Sequence, residues 1–519
     1  MNRFKFMAGR GVSLNVSALA IRNPLPAILL ALIALALGVV SFRQLPITLL
    51  PNVDPPIVSI VVTDFGATPT ELEQQVTRKI EAAVSGVAGV HHVMSSISDG
   101  ISATTISFNL NVDTDKATRA VKTAVADIAP ELPRGADAPT VKRIDAVGLN
   151  IVTYAAESPK LTAEQLSAFV DADVIGGLKA LPGVSSVERI GGVTREISVT
   201  LDPAALAMHG LTAAEADAQI KAAQKEAGAQ QSLAELAATP IHLPRGGSLR
   251  LDALARVTDT TATPRTFARL NGDPIVAFGV LRAKGASDVT VADKVEKFVQ
   301  KVAAAHPEVA FKLIDTSVRY TQGNYDAALH TLFEGAALAV VVVFLFLRDL
   351  RATLIAAIAL PLSIVPALFV MKMLGFSLNL ISLLAITLAT GILVDDAIVE
   401  IENIVRHMRM GKSAMQAAID AADEIGLAVI AISLTIVAVF APVSFIGSVA
   451  GQYFKQFGLT IAAEVMFSLL AARFVTPMLA AHFLKPRADA GEEKLPAWTR
   501  YYGKIVTWSV EHRFTTLVI

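Results

Sequence analysis

The sequence predicts a polytopic α-helical membrane protein with a large periplasmic α/β region, built from ferredoxin-like repeats, between its first and second spans. Three observations predict it. Of 519 residues, 53% are hydrophobic and 18% charged, whereas a soluble globular chain carries about 25% charge. The apolar excess is gathered into one early and five late runs of about 20 residues, the length that spans a bilayer. Between the first and second runs, strand-like and helix-like patterns alternate and recur. The same arithmetic excludes other classes. There is no cysteine, which removes thiol catalysis, zinc–cysteine sites, iron–sulfur clusters and a disulfide scaffold. A net charge of −1 gives no reason to expect nucleic acid as a partner.

Residues 1–22 read as a cytoplasmic tail carrying Arg3, Lys5, Arg10 and Arg22. The first span covers 23–42. Its run is too long for a signal peptide, and Phe42-Arg43-Gln44-Leu45-Pro46 offers no small-x-small cleavage site, so it reads as an uncleaved anchor. Further spans fall at 328–347, 352–374, 377–405, 425–446 and 454–484. Arg348 and Arg351 separate the second and third, and Arg406, Arg409 and Lys412 the fourth and fifth. Lys485, Arg487, Lys494 and Arg500 follow the sixth, while the opposite side holds only Lys372 and Lys455. The basic excess therefore places both ends of the six-span unit in the cytoplasm. Residues 485–511 read as a cytoplasmic linker and an amphipathic helix, in which Trp498, Tyr501, Tyr502 and Trp508 lie at the membrane surface. Residues 512–519 read as the start of a truncated seventh span.

Residues 43–327 form the periplasmic region, divided into lobes at about 43–134 and 135–315. Ile57–Thr63, Val90–Ser98 and Ile101–Leu110 read as strands, and Pro69–Val84 and Thr114–Ile128 as helices. The pattern then repeats. Thr70-Glu71-Leu72 leads through one helix to Ala88-Gly89-Val90, and Ala163-Glu164-Gln165-Leu166 leads likewise to Pro182-Gly183-Val184. A third helix, Asp288–Ala304, lies between strand-like Ile275–Leu281 and Val309–Ile314. The repetition predicts duplicated β-α-β units.

The fourth span carries Gly391-Ile392-Leu393-Val394-Asp395-Asp396-Ala397-Ile398-Val399. One Asp at the centre of a span costs about 2.5–3.5 kcal/mol on insertion scales, so two adjacent ones call for a function or a partner. Neighbouring side chains project about 100° apart, so both carboxyl groups can face one interior cavity without touching. A carboxyl group that gains and loses a proton within a membrane is what a proton-driven transporter requires. The competing reading, pairing with basic residues at a helix interface, is less economical because one Asp would suffice. Glu402, Glu464 and Arg473 are further intramembrane charges with candidate accessory roles. Glu400 and Glu402 lie toward the cytoplasmic end and read as interfacial. Glu464 and Arg473 are about two and a half turns apart, so they are no simple intrahelical pair; Arg473 either pairs with an Asp of the fourth span or snorkels.

Val394-Asp395-Asp396-Ala397-Ile398-Val399, continuing to Glu402-Asn403, resembles the fourth-span signature of resistance–nodulation–division (RND) efflux permeases. Arg351-Ala352-Thr353-Leu354-Ile355, Gly375-Phe376-Ser377-Leu378-Asn379, Val439-Phe440-Ala441-Pro442, Thr476-Pro477 and Leu45-Pro46 match other landmarks in the right order along the whole chain. The doubled Asp resembles the hydrophobe/amphiphile multidrug branch. The resemblance implies a multi-pass bacterial inner-membrane exporter, an antiporter driven by the proton gradient with no further cofactor. It implies a periplasmic porter domain that captures hydrophobic or amphiphilic compounds. Asp395 and Asp396 would carry the protons, assisted by a Lys in a later span. A homotrimer, a periplasmic adaptor and an outer-membrane channel are the implied partners.

Three departures from the family pattern shape the expectations. Family permeases have twelve spans, so the chain reads as an N-terminal half whose partner is a C-terminal half with the remaining spans. The stretch near 193–265 reads as a reduced docking insertion, with Gly228-Ala229-Gln230-Gln231 running directly into Ser232-Leu233. Where multidrug members line their substrate pocket with Phe, this chain offers Leu149 and Ile190.

Rival signals are weaker. Gly411-Lys412-Ser413 fails as a phosphate loop because Arg406 stands where its first Gly belongs. His91-His92 reads as an exposed strand end with the two rings on opposite faces, so no metal site is expected. The chain is not read as an enzyme. Two other functions remain open: a six-span accessory subunit of protein export, and a non-transporting fragment that scaffolds or inhibits longer partners.

Overall fold

A computed structural model describes residues 16–52, 55–64, 66–110, 112–133, 135–144, 150–227, 232–244, 246–262, 266–485 and 497–518. The first sheet contains β1 (Ile57–Thr63), β2 (Val90–Ser98), β3 (Ile101–Phe108) and β4 (Thr140–Arg143) in the order β2-β3-β1-β4. β1 reads Ile-Val-Ser-Ile-Val-Val-Thr, and its alternate residues Val58, Ile60 and Val62 point into the core. Two helical stretches cover that face. One is formed by Pro69–Leu72, a π turn at Glu73–Thr77, and Arg78–Ser85. The other is Thr114–Ile128, which buries Ala117, Val121 and Val125 at spacings of four and is capped by the Asp113 carboxylate.

The second sheet repeats the plan. It contains β5 (Val152–Glu157), β6 (Val184–Gly191), β13 (Val276–Arg282) and β14 (Ala310–Thr316) in the order β14-β5-β13-β6. Numbered within each lobe, both sheets have the order 4-1-3-2 of the split β-α-β arrangement. The duplication extends to detail. Ala163–Phe169, a π turn at Val170–Ile175 and Gly176–Lys179 repeat the interrupted helix of the first lobe. Both helices open with capping boxes, Thr68 with Glu71 and Thr162 with Gln165. Each is followed by a glycine with positive φ, Gly89 and Gly183, just before the next strand.

The sheets divide differently from the lobes read from sequence. β4 pairs with β1 from Val58 to Val61, so the first lobe runs past 134/135 to Arg143. A four-residue strand between loops carries too little periodicity to show itself beforehand.

Where the first lobe joins β2 to β3 by a tight hairpin, the second inserts a unit between β6 and β13. There β7 (Arg195–Leu201) pairs with β10 (Ala255–Thr261), and β8 (Pro240–His242) with β9 (Ser248–Arg250). Three helices, Pro203–Met208, Ala213–Ala227 and Leu233–Ala237, complete the unit. Leu206, Leu211, Ile220, Leu236, Ile241, Leu251 and Leu254 form its own buried core. Residues 228–231 of the reduced docking stretch lie outside the described residues. Arg269-Leu270 (β11) and Asp273-Pro274 (β12) then form a short ladder before β13.

Among the described residues, six helices are long and apolar enough to cross a membrane, by length and composition. We label the helices used below α1 (Pro24–Phe42), α2 (Thr114–Ile128), α3 (Asp288–Ala305), α4 (Val318–Leu347), α5 (Leu350–Met373), α6 (Leu380–Arg409), α7 (Ala414–Phe440), α8 (Val449–Leu470) and α9 (Thr476–Phe483). A π turn at Ala471–Val475 joins α8 to α9. α4 begins ten residues before the span read at 328, directly after β14. Its 30 residues make it about 45 Å long, longer than a hydrocarbon core of about 30 Å. α1 and α5 touch backbone to backbone, because a Cβ on Gly38 would lie 2.1 Å from the Val365 carbonyl oxygen. Ala497–Glu511 is helical, with Tyr501, Tyr502 and Trp508 exposed.

A short strap ties the helices to the second lobe. Ile47 bridges Leu378, and the Thr48 N–H donates to the Leu378 carbonyl at 3.0 Å. The other side of the strap meets the start of α3. The Asp288 N–H donates to the Ile47 carbonyl at 2.9 Å, and the Leu49 N–H donates to Asp288 Oδ2 at 2.9 Å. Arg282 closes this junction with a buried ion pair to Asp288.

Candidate functional site

α6 is fixed at its first turn by Asn379, whose side chain caps the Ile381 and Ser382 N–H groups. Arg406, His407 and Arg409 occupy its last turn, where cations complement the helix dipole. Between these ends the helix turns Asp396 inward. Asp396 is 9% exposed, and its Oδ2 accepts a hydrogen bond from Ser468 Oγ of α8 at 3.2 Å.

Asp395 is placed differently. It is exposed and lines a cavity of about 370 Å³ between α4 and α6, with Thr331, Gly335, Val342, Thr390 and Gly391. The 100° between neighbouring side chains therefore separates the two carboxyl groups rather than converging them on one cavity.

The other sequence-predicted residues divide as clearly. Glu464 of α8 is 0% exposed, and neither carboxyl oxygen has a hydrogen-bond partner among the described residues. Glu402 is exposed. Arg473 pairs with neither Asp; its Nη1 donates to the Ala422 carbonyl of α7 at 2.6 Å, packed where Gly426 leaves room. Ile190 is exposed on β6, opposite Ala277. Leu149 lies outside the described residues.

Glu400 corrects the sequence reading. It is 0% exposed rather than interfacial, and both of its oxygens lack a hydrogen-bond partner among the described residues. The signal was available, since residue 400 is one turn beyond Asp396 on the same face. Ser468 was missed because one hydroxyl in an apolar helix leaves no trace in a charge scan. His91 and His92 also differ from expectation. A bulge between Val90 and His92 sets the two exposed rings 3.9 Å apart, instead of on opposite faces. Among the described residues, no three His, Asp or Glu side chains cluster so as to hold a metal ion.

At the C-terminal end of α6, Arg406, His407 and Lys412 have acidic partners on α7. Arg406 Nη2 donates to Glu424 at 2.6 Å, and His407 Nε2 lies 2.7 Å from the same carboxylate. Lys412 Nζ donates to Asp420 at 2.7 Å and lies 2.9 Å from His407 Nδ1.

Apolar helices long enough to cross a membrane, some of them burying carboxyl groups, joined to a duplicated α/β region, give the plan of a multi-pass membrane protein. The chain belongs to the AcrB/AcrD/AcrF family of RND efflux permeases, whose sequence profile matches residues 16–519. It is 30% identical over 532 residues to multidrug resistance protein MdtC of Pectobacterium atrosepticum, covering 97% of this chain and 52% of that protein. The MdtC protein of Photorhabdus laumondii is 29% identical over 528 residues, covering 97% of this chain and 51% of the relative. That of Escherichia coli O139:H28 is 29% identical over 521 residues, with shares of 95% and 51%. The chain thus spans about half the length of the curated relatives it matches.

Proposed function

We propose that this chain is the N-terminal half of a proton/substrate antiporter that exports hydrophobic or amphiphilic compounds from the inner membrane and periplasm. The observation that carries the reading is Asp396, a carboxyl group buried inside an apolar helix and hydrogen-bonded to Ser468. Membership of an efflux-permease family makes the proton gradient the natural energy source for such a group. Asp396 is the buried member of the relay. Asp395 faces the cavity beside α4, where a basic side chain from a C-terminal half can reach it. The α/β region is periplasmic in this reading, and Ile190 and Leu149 contribute to its substrate surface. The complete transporter is a trimer working with a periplasmic adaptor and an outer-membrane channel.

The test is proton-dependent export of an amphiphilic dye from cells producing this chain, with and without a C-terminal half. Export that requires that half and is lost in Asp395→Asn and in Asp396→Asn supports the reading. Export that persists in both variants overturns the relay. No export in any combination favours an accessory or scaffolding role.

A further inference from the structure

The buried polar side chains of α8 fall on one line. Gln456, Thr460, Glu464 and Ser468 follow at intervals of four residues, and all are buried. They therefore make a single stripe down one helix face. α6 continues it with Asp396, Glu400, Asn403 and His407, spaced by four, three and four residues and likewise buried. The stripes join where Ser468 donates to Asp396. At the strap end, Asn379 Nδ2 donates to Gln456 Oε1 at 2.6 Å. At the far end, His407 meets Glu424 and Lys412. The α8 stripe rises about 18 Å and the α6 stripe about 16 Å, which together match a hydrocarbon core of about 30 Å.

Structure alone gives Glu464 and Glu400 no role. A buried carboxyl group stabilises a fold through its hydrogen bonds or ion pairs, and without them it costs free energy. Both residues are 0% exposed, with no hydrogen-bond partner for any of their four oxygens among the described residues.

Charged groups sit on the helices packed against α8 and α6, and α4, packed against α6, brings Arg319, Asp326, His330 and Glu334. α6 brings Asp395, Asp396, Glu400 and Glu402, with Arg406, His407 and Arg409 in its last turn. α5 has only Arg351 and Lys372, near its ends, and α7 has Asp420, Asp423 and Glu424 in its first three turns. Residues 441–445 have none. α8 and its continuation add Lys455, Arg473 and His482.

We propose that Glu464 and Glu400 are proton-carrying residues on either side of Asp396, in a buried file that follows α8 and then α6 across the membrane. The proposal rests on the reading of Asp396 as a proton carrier and extends it. A proton entering past Gln456 and Thr460 forms an O–H bond on the Glu464 carboxylate. That bond breaks as the proton passes, by way of the Ser468 hydroxyl, to an Asp396 carboxyl oxygen. The bond at Asp396 breaks in turn as Glu400 takes the proton and hands it toward His407. Only protons move, and each group returns to its starting state.

The test is a pH titration of the full chain in lipid vesicles, followed by the infrared band of protonated carboxyl groups. Protein carrying carboxyl-¹³C glutamate is compared with unlabelled protein, so that glutamate bands shift and aspartate bands do not. Bands that resist exchange in deuterated water report the buried groups. The expected result is two such glutamate bands that titrate, one lost in Glu464→Gln and the other in Glu400→Gln. The midpoint of each should move in Asp396→Asn, as coupled sites require.

Buried glutamate bands that do not titrate, or whose midpoints stay fixed in Asp396→Asn, overturn the file. In that case a titrating aspartate band that disappears in Asp396→Asn still upholds Asp396 as a proton carrier. Absence of that aspartate band overturns the reading of Asp396 itself. The labelled wild-type protein already shows whether buried glutamates titrate, so the decision does not depend on a substituted chain folding.

Discussion

Buried charge is handled in opposite ways in the α/β region and in the helical bundle. In the second lobe, Arg282 and Asp288 are both buried, and they face each other. Burial pushes the Arg282 guanidinium down, and the neighbouring Asp288 carboxylate opposes that shift. Asp288 also accepts from the Leu49 N–H, so the pair is knitted into the backbone. In the bundle, Glu464 and Glu400 are buried more completely and are left without hydrogen bonds among the described residues. The lesson is that burial does not define a role for a charged group; the presence or absence of partners does. A partnered charge specifies structure, whereas an unpartnered one is retained at a cost in stability.

The contrast is easiest to break at Asp288. Asp288→Ala leaves Arg282 buried and unpaired, and such a loss costs about 3–5 kcal/mol. Thermal unfolding of the full chain should show the largest fall in midpoint for this substitution. Glu464→Met works in the opposite direction. It replaces an unsatisfied carboxyl group by an apolar side chain of similar size, and relieving such a group is worth about 1–3 kcal/mol. The unfolding midpoint should rise or hold; a fall comparable to that of Asp288→Ala would mean that Glu464 has a structural partner after all.

Smaller effects sharpen the same contrast at the surface of the α/β region. Thr68→Ala removes the cap on the first repeat helix and should cost about 1 kcal/mol. Its exposed partner Glu71 is held below the ordinary carboxylate range, first by the Thr68 N–H and then by the Thr68 hydroxyl. A lowered folded-state pKa contributes stability above the unfolded value of about 4.3, and the contribution fades as pH falls through the lower folded value. Unfolding midpoints measured from pH 6 down to 3 should therefore fall less steeply in Glu71→Gln than in the wild type. The exposed Arg195–Asp259 pair should matter least. A double-mutant cycle there should return a coupling close to zero that shrinks further with added salt.

Much of this architecture was legible in the sequence, because the signals are long. The six apolar runs and the repeated helix-to-Gly-Val pattern each extend over tens of residues, and both appear in the structure. Short-range features were not legible. β4 has only four residues, and the bulge at His91 depends on pairing with β3. Of the candidate site, the sequence singled out Asp396 and Glu464, but a charge count along α6 cannot tell an inward residue from an outward one. Glu400 and Glu402 differ by two positions, about 200° around the helix, and this angle buries one and exposes the other. Arg473 was weighed against the carboxylates of α6, yet the space beside Gly426 and the Ala422 carbonyl that it meets lie on α7. Only the packed helices reveal that destination.

The strap at residues 46–49 makes the two halves of this contrast mechanically inseparable. It is held by backbone hydrogen bonds to Leu378 at the entrance of α6 and by Asp288 at the entrance of α3. A sliding or tilting of α6 must be transmitted to α3 and its sheet, or else break those bonds. The strap is thus a stiff linkage of a few residues between the helix bearing Asp396 and a lobe of the α/β region. It gives a displacement at one a geometric counterpart at the other without requiring the bundle to deform as a whole.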